Sequence, residues 1–182
     1  MGVIASRWFE DGLLTGSGIA TTVMSNLGLE RFLKQRGISM ERTQVGDRYV
    51  VEHMRKSGFN LGGEQSGHII LSDFSTTGDG LIAGLQFLAE IIRSERGSKD
   101  LARIFEPVPQ LLKNAFYKAG SDPLSKPNVV KAIKAAELKL QNNGRLLIRK
   151  SGTEPLIRVM AESEDEEKMI KAVDSVVAEI IA

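Results

Sequence analysis

Two prolines close together, Pro107 and Pro109, divide this 182-residue chain into two parts. A helix cannot continue through them, because each proline lacks an amide hydrogen and restricts the residue before it. They therefore predict a linker at residues 105–110, between one domain at residues 1–104 and another at residues 111–182. Hydrophobic residues make up 42% of the chain, which is enough to give each part a core.

The first part alternates strand-like and helix-like segments. A strand-like run at Ile19–Met24 leads into a helix, and a second strand-helix unit follows over residues 38–57. Such alternation predicts an α/β domain in which helices cover both faces of a mixed sheet, in α/β/α layers. A longer helix comes next, and its apolar residues recur at helical spacing, which predicts that one face packs on the sheet: Leu81, Leu85, Leu88 and Ile92.

The second part reads as strand, helix, strand, strand, helix. Asn143 and Gly144 predict a turn into a strand at Arg145–Arg149. Ser163 and Glu166 have the spacing of a capping box at the start of the last helix. Two helices over a small antiparallel sheet predict a compact α+β domain.

Charge and composition exclude several classes of function. With 24 Lys and Arg against 23 Asp and Glu, the net charge is +1, so no whole-chain field favours nucleic acid or an anionic membrane. The absence of cysteine excludes disulfides and thiolate metal sites and is consistent with a reducing cytoplasm. The N-terminus, residues 1–12, resembles neither a signal peptide nor a membrane span. We expect a cytoplasmic protein that binds neither nucleic acid nor membranes.

The segment RKSGTEPLIRVM, residues 149–160, has the composition of a phosphate-binding hairpin. Arg149 and Arg158 can each direct a guanidinium fork at an anion, and Ser151 and Thr153 add hydroxyl donors. Gly152 lets the backbone turn and present its amide hydrogens. The alternative is an ordinary surface turn, because Ser, Gly, Thr and Pro are common in turns.

The segment GGEQSGH, residues 62–68, carries groups that suit a polyhydroxylated ligand. Interpreted as a strand, it places Glu64, Ser66 and His68 on one face. The alternative is a β-bulge whose polar side chains face water. A Ser–His hydrolase is disfavoured, because residue 64 is Glu where the GxSxG motif requires Gly, and no acid is identifiable to orient the pair.

Two further patterns carry little information alone. Asp47 and Arg48 stand at a predicted helix start, where Asp is an ordinary N-cap. The two histidines and the scattered carboxylates show no spacing typical of a zinc or calcium site. The sequence therefore predicts no metal site in this chain.

Taken in order and spacing, five segments resemble the bacterial phosphoglucosamine mutases of the α-D-phosphohexomutase superfamily: MSNLGLE, VGDRYV, GGEQSGH, TTGDG and RKSGTEPLIRVM. That family has four domains, and this chain resembles the last two. The resemblance implies interconversion of glucosamine 6-phosphate and glucosamine 1-phosphate through a phosphoserine and a bisphosphorylated hexosamine, with Mg²⁺ assisting. The phosphoserine and the magnesium ligands belong to the two domains that this chain lacks, so no catalytic residue is expected here.

The resemblance also assigns roles to residues. Glu64 and Ser66 are expected to bind the sugar hydroxyls, and His68 to lie near the substrate. Asp47 and Arg48 are expected to line the substrate cleft. The phosphate that does not react is expected to be bound by the donors of the later hairpin, namely Arg149, Ser151, Gly152, Thr153 and Arg158.

Three interpretations stay open at this point. The first is the C-terminal half of such a mutase, inactive without its N-terminal domains, with a homodimer as one option for the full-length enzyme. The second is a stand-alone phosphosugar-binding module without catalysis. The third is a surface interaction domain without a ligand site.

Overall fold

The computed structural model of the chain describes residues 1–141 and 143–182. These residues form two compact units, Met1–Pro107 (unit 1) and Val108–Ala182 (unit 2). The division falls within the predicted linker at residues 105–110.

Unit 1 is built around a four-stranded mixed sheet. Its helices are α1 (Gly2–Glu10), α2 (Leu27–Lys34), α3 (Asp47–Ser57), α4 (Gly80–Ser94) and α5 (Ser98–Ala102). Its strands are β1 (Gly18–Thr22), β2 (Ser39–Thr43), β3 (Leu61–Gly63) and β4 (Ile69–Leu71). In the order β2-β1-β3-β4, the first three strands are parallel and β4 is antiparallel to β3.

Neighbouring residues of the central strand pack against different helices. Ile19 of β1 lies in a core with residues of α1 and α2, whereas Ala20 packs with Val50 and Met54 of α3. Successive side chains of a strand point to opposite faces, so the helices cover both faces of this sheet. The predicted α/β/α layering is confirmed.

The ends of the helices follow local rules. The Asn26 side chain accepts a hydrogen bond from the Gly28 amide and caps α2, and Asp79 caps α4 through the amides of Leu81 and Ile82. Gly58 ends α3 with a φ of 70°, which glycine adopts without a steric penalty.

The expected packing of α4 is wrong. The four residues predicted to face the sheet are exposed: Leu81, Leu85, Leu88 and Ile92. Ile82 and the buried Ala83 lie on the inward side instead. The spacing identified an apolar face correctly, but other residues of the helix contact the core of unit 1.

Unit 2 is a three-stranded antiparallel sheet with two long helices. The strands are β5 (Gln110–Phe116), β6 (Gly144–Lys150) and β7 (Leu156–Ser163), and the helices are α6 (Pro127–Leu140) and α7 (Glu166–Ile181). β7 lies between β5 and β6. Both helices pack on one face of the sheet, in a core that includes Ile157, Val159, Val173 and Val176. The predicted α+β fold is confirmed.

The capping box predicted for the last helix does not form. Asp165 is the N-cap of α7 and accepts a hydrogen bond from the Lys168 amide at 3.0 Å. Ser163 is the last residue of β7, and its hydroxyl accepts from the Asp165 amide at 3.1 Å.

Across the described ranges, the helices fall short of the length and apolar character that spanning a membrane requires.

Candidate functional site

Three loops of unit 1 follow the carboxyl ends of its parallel strands. They are residues 23–26 after β1, residues 44–46 after β2 and residues 64–68 after β3. The carboxyl ends of parallel strands lie at one edge of a sheet, and this edge is where open α/β sheets commonly bind ligands. Glu64, Ser66 and His68 lie in the third of these loops, and Asp47 and Arg48 follow the second, in the first turn of α3.

The segment that contains Glu64, Ser66 and His68 is a hairpin turn between β3 and β4, not a strand. The Glu64 amide donates to the His68 carbonyl at 2.8 Å, and Gly67 has a φ of 103°. The turn still gathers the three side chains, because the Ser66 hydroxyl lies 3.3 Å from His68 Nδ1 and the nearer Glu64 oxygen lies 3.8 Å from that nitrogen.

Glu64 connects this turn to the start of α3. Its Oε1 accepts the Gly46 amide at 2.9 Å, and the side chain is 12% exposed. Asp47 follows directly and accepts the Arg48 amide at 2.7 Å, while the Arg48 guanidinium lies over the Tyr49 ring. Gly46, rather than the expected Asp47, is the N-cap of α3. The Glu64 carboxylate is thus fixed in place with acceptor capacity to spare.

A cavity of about 290 Å³ opens beside Glu64. Its polar lining includes Ser25, Asn26, Glu64 and Gln65, and Met1, Leu29 and Phe105 contribute apolar walls. The predicted residues Asp47, Arg48, Ser66 and His68 are all described, and none of them lines this cavity. Ser25 and Asn26 were not predicted as site residues, although their position after a parallel strand was a usable signal.

The geometry argues against a Ser–His nucleophile. Ser66 and Glu64 both approach His68 through its Nδ1 atom. A catalytic triad needs the hydroxyl and the carboxylate on different ring nitrogens, so that one group orients the ring while the other loses its proton. Hydrogen-bonding recognition is the chemistry that remains for these three side chains.

In unit 2, Arg149 of β6 and Arg158 of β7 are directly opposite each other. No salt bridge joins either of them to a carboxylate in the part of the chain that the structure describes. Burial lowers the pKa of Arg149, and the Arg158 charge lowers it further. Like charges directly opposite each other destabilise a sheet, and an anion bound between them would offset the repulsion.

The turn between these strands exposes further donors. The Ser151 amide donates to the Leu156 carbonyl at 2.9 Å, which closes the hairpin, and Gly152 and Thr153 are exposed. Gly152 has no positive φ, and a Cβ built on it would contact no atom within 4 Å. The fold therefore does not require glycine here, and the backbone at this position is open to solvent.

The arginine pair faces away from the helices. Ile148 and Ile157 pack toward α6 and α7, so Arg149 and Arg158 project from the opposite face. Asn114 of β5 is opposite Arg158 and extends the row by an amide, a residue that the sequence did not indicate because the register was unknown. Farther along the same face, Arg145 is paired with the buried Glu162.

Two family models match the chain and together span most of its length. One is described as phosphoglucomutase/phosphomannomutase, alpha/beta/alpha domain III, and matches residues 1–110. The other, the C-terminal domain of the same family, matches residues 96–179. The chain belongs to the phosphoglucomutase/phosphomannomutase family. The resemblance of the five sequence segments is thereby confirmed at the level of the family.

Curated relatives of this chain are phosphoglucosamine mutases. The protein from Ruegeria sp. strain TM1040 is 64% identical over 182 residues, which are 100% of this chain and 41% of the relative. The protein from Paracoccus denitrificans is 60% identical over 180 residues, which are 99% of this chain and 40% of the relative. The chain thus spans about two fifths of the length of these relatives.

Solved phosphohexomutase structures share the fold at low sequence identity. Aspergillus fumigatus N-acetylphosphoglucosamine mutase, in complex with GlcNAc-6P and magnesium, has a TM-score of 0.76 and 17% identity over 100% of this chain and 46% of its own. A phosphoglucomutase/phosphomannomutase family protein from Burkholderia thailandensis has a TM-score of 0.71 and 19% identity over 98% of this chain and 40% of its own. These similarities establish the architecture.

The described part of the chain shows no cluster of metal-ligating side chains. Among residues 1–141 and 143–182, no three His, Asp or Glu side chains are grouped so that they could hold a metal ion. We therefore assign no metal ligand and no metal-dependent step to these residues.

Proposed function

We propose that this chain supplies the sugar and phosphate recognition of a phosphoglucosamine mutase, which interconverts glucosamine 6-phosphate and glucosamine 1-phosphate. The observation that carries the proposal is the cross-strand pair of Arg149 and Arg158, which lacks a carboxylate partner among the described residues. The 64% identity to a phosphoglucosamine mutase favours the glucosamine phosphates as substrates.

Unit 2 binds the phosphate group in this proposal. The guanidinium groups of Arg149 and Arg158 supply charge and fork geometry, and Ser151, Thr153 and the Gly152 amide supply further donors. Phosphoryl transfer depends mainly on positioning and on electrostatic stabilisation. A firm hold on the phosphate that does not react therefore contributes to the rate by placing the hydroxyl group that does react.

Unit 1 recognises the sugar. The Glu64 carboxylate, held by the Gly46 amide, accepts hydrogen bonds from sugar hydroxyls or from the amino group of glucosamine. Ser66 and His68 add an exposed hydroxyl and imidazole beside it. Asp47 and Arg48 complete the set at the start of α3.

The chemical step belongs to a longer polypeptide in this proposal. The phosphoserine and the Mg²⁺ ligands are contributed by the amino-terminal domains, and a bisphosphorylated hexosamine is the intermediate. The 182-residue chain alone therefore binds phosphosugar in the cytoplasm without turning it over.

An amide NMR titration tests the proposal. Glucosamine 6-phosphate is expected to cause saturable shifts at Gly152 and Thr153 in unit 2 and at Gly67 in unit 1. Inorganic phosphate is expected to shift only the unit 2 signals, and unphosphorylated glucosamine only the unit 1 signal. Phosphosugar shifts spread evenly over the lysines, without saturation at Gly152, would reject the assignment.

A stand-alone phosphosugar-binding module is the second candidate. It is favoured by the location of all the proposed recognition groups within this chain. Both candidates predict the same titration. They differ when the chain is joined to the amino-terminal part of the Ruegeria relative, because only a mutase half restores conversion of glucosamine 6-phosphate.

A further inference from the structure

Helix α4 is apolar but largely uncovered. Nine of its fifteen residues have apolar side chains, yet Ala83 is the only buried residue of the helix, which is described throughout. The exposed fractions are 82% for Leu81, 64% for Leu85, 53% for Leu88 and 79% for Ile92. These four residues recur at helical spacing, so they form one continuous stripe along the helix. We call them the α4 stripe.

The orientation of the helix is fixed by its other side. Arg7 of α1 forms a salt bridge with Glu90 at 3.1 Å, and Arg93 forms one with Asp11 at 3.1 Å. These contacts hold the C-terminal half of α4 against α1. The α4 stripe therefore cannot reach the core of unit 1 by a simple rotation of the helix.

A groove of about 450 Å³ between α1 and α4 enlarges this surface. Gly80, Ala83, Gly84 and Phe87 line it on the α4 side. A Cβ built on Gly84 would contact no atom within 4 Å, so the groove is open at that point. Residues three and four apart are neighbours on a helix, which makes the groove continuous with the α4 stripe. Such contiguous apolar patches mark interaction sites.

We propose that the α4 stripe and this groove are the docking surface for the amino-terminal domains of a longer phosphohexomutase chain. Met1 and Gly2 line the same groove as Gly80 and Gly84. A polypeptide joined to the amino side of Met1 would thus emerge beside the first turn of α4. Such a connection raises the effective concentration of the joined domains at this surface.

The length of the relatives supports this occupant over a second copy of the chain. The chain covers 41% of the Ruegeria relative, so more than half of that protein is available to cover the surface. Four aliphatic side chains expose a few hundred Å², whereas a stable interface between separate partners buries about 800 Å² on each. The inference rests on one part of the proposed function, namely that the chain is the C-terminal part of a longer phosphohexomutase.

Cysteine labelling tests the surface directly, since the chain has no cysteine of its own. Leu85→Cys places a thiol on the α4 stripe, and Leu138→Cys on α6 is the matched control, because the two leucines are 64% and 66% exposed. Both variants are prepared in the 182-residue chain and in a fusion with the amino-terminal part of the Ruegeria relative. Reaction with N-ethylmaleimide is followed at each site by peptide mass spectrometry.

In the fusion, labelling of Leu85→Cys is expected to slow at least about tenfold, while Leu138→Cys reacts at the same rate in both proteins. Weaker protection is expected when the amino-terminal part is added as a separate chain, because only the joined domains have the raised effective concentration at this surface. Equal rates at Leu85→Cys in all proteins would overturn the proposal. So would protection that rises with the concentration of the 182-residue chain alone, since a second copy would then occupy the surface.

The activity of the fusion separates this inference from the proposed function. Protection at Leu85→Cys without conversion of glucosamine 6-phosphate supports the docking surface and counts against the mutase. Conversion of glucosamine 6-phosphate without protection at Leu85→Cys supports the mutase and counts against the docking surface.

Discussion

Replacement of Arg149 by methionine is expected to make the chain more stable and a weaker phosphate binder. In the free chain Arg149 is directly opposite Arg158. Neither arginine has a carboxylate partner among the described residues. Methionine keeps an unbranched apolar stem of similar reach and removes one of the two like charges. The substitution therefore separates the effect of this charge pair on stability from its effect on phosphate binding.

The size of the effect follows from the position of the pair. Like charges directly opposite each other in a sheet cost on the order of 0.2–1 kcal/mol. Unit 2 has its own core, and a small domain shifts its Tm by about 4–8 °C per kcal/mol. We expect Arg149→Met to raise the Tm of unit 2 by about 2–4 °C at low salt, for a relief of about 0.5 kcal/mol. Near 1 M salt the gain should vanish, because the repulsion is screened.

Phosphate binding should change in the opposite direction. A hydrogen bond to a charged group contributes about 1.5–3 kcal/mol, so loss of the Arg149 fork should weaken binding about 10- to 100-fold. Arg149→Lys separates the two effects, because it keeps the repulsion but loses the planar fork. It should have the wild-type Tm and the reduced affinity.

The assays are thermal unfolding in a phosphate-free buffer at several salt concentrations, and calorimetric titration with glucosamine 6-phosphate. Lys150→Met is the control, because the Lys150 ammonium donates to Asp122 at 2.6 Å and the residue is opposite Ile157 on the helix-facing side of the sheet. Its affinity should equal that of the wild type. A lower Tm for Arg149→Met at low salt, or an unchanged affinity, would refute the reasoning.

Two further predictions concern glycine and acid. Gly152→Ala should leave the Tm unchanged while weakening phosphosugar binding. Gly62→Ala should lower the free energy of unfolding by about 1–3 kcal/mol, because its Cβ would lie 2.9 Å from the Ala20 carbonyl oxygen. Unfolding curves and ligand titrations of both variants check these expectations. Hydrogen bonds from Lys168 lower the pKa of Asp165, so its contribution is present above the unfolded pKa of about 3.9 and is lost as pH falls through the folded value. The Tm of Asp165→Asn should therefore fall less than that of the wild type between pH 5 and 2, and parallel curves would contradict this assignment.

Local signals in the sequence predicted much of the fold. The turn at Asn143 and Gly144 and the hairpin that pairs Arg149 with Arg158 were foreseen, because turn chemistry and strand pattern act over a few residues. The position of the two arginines opposite each other was predictable for the same reason, whereas their binding of one ligand stays a prediction. The place of Asn114 opposite Arg158 was not predictable, because it depends on a pairing across more than forty residues.

The wrong predictions have two physical causes. The alternation of Glu64, Ser66 and His68 predicted a strand. The backbone forms a turn instead, in which Gly67 has a positive φ, and this turn also brings the three side chains together. The apolar spacing of α4 identified a helix face that favours burial, but it did not specify which surface buries that face. Periodicity reports which residues share a face, and it carries no information about the surface that the face meets.

The strand order of unit 2 determines when this domain can fold during synthesis. β7 is the last strand along the chain and pairs with both β5 and β6, so neither of the earlier strands has a partner in the sheet until residues 156–163 have been made. The ribosome holds back the newest residues, and nearly all of unit 2 must emerge before its sheet can close. Unit 1 has no such delay and is free to fold first, as amino-terminal domains generally do. Arg149 and Arg158 consequently meet only in the last stage of folding, when the cost of their repulsion can no longer oppose the earlier steps.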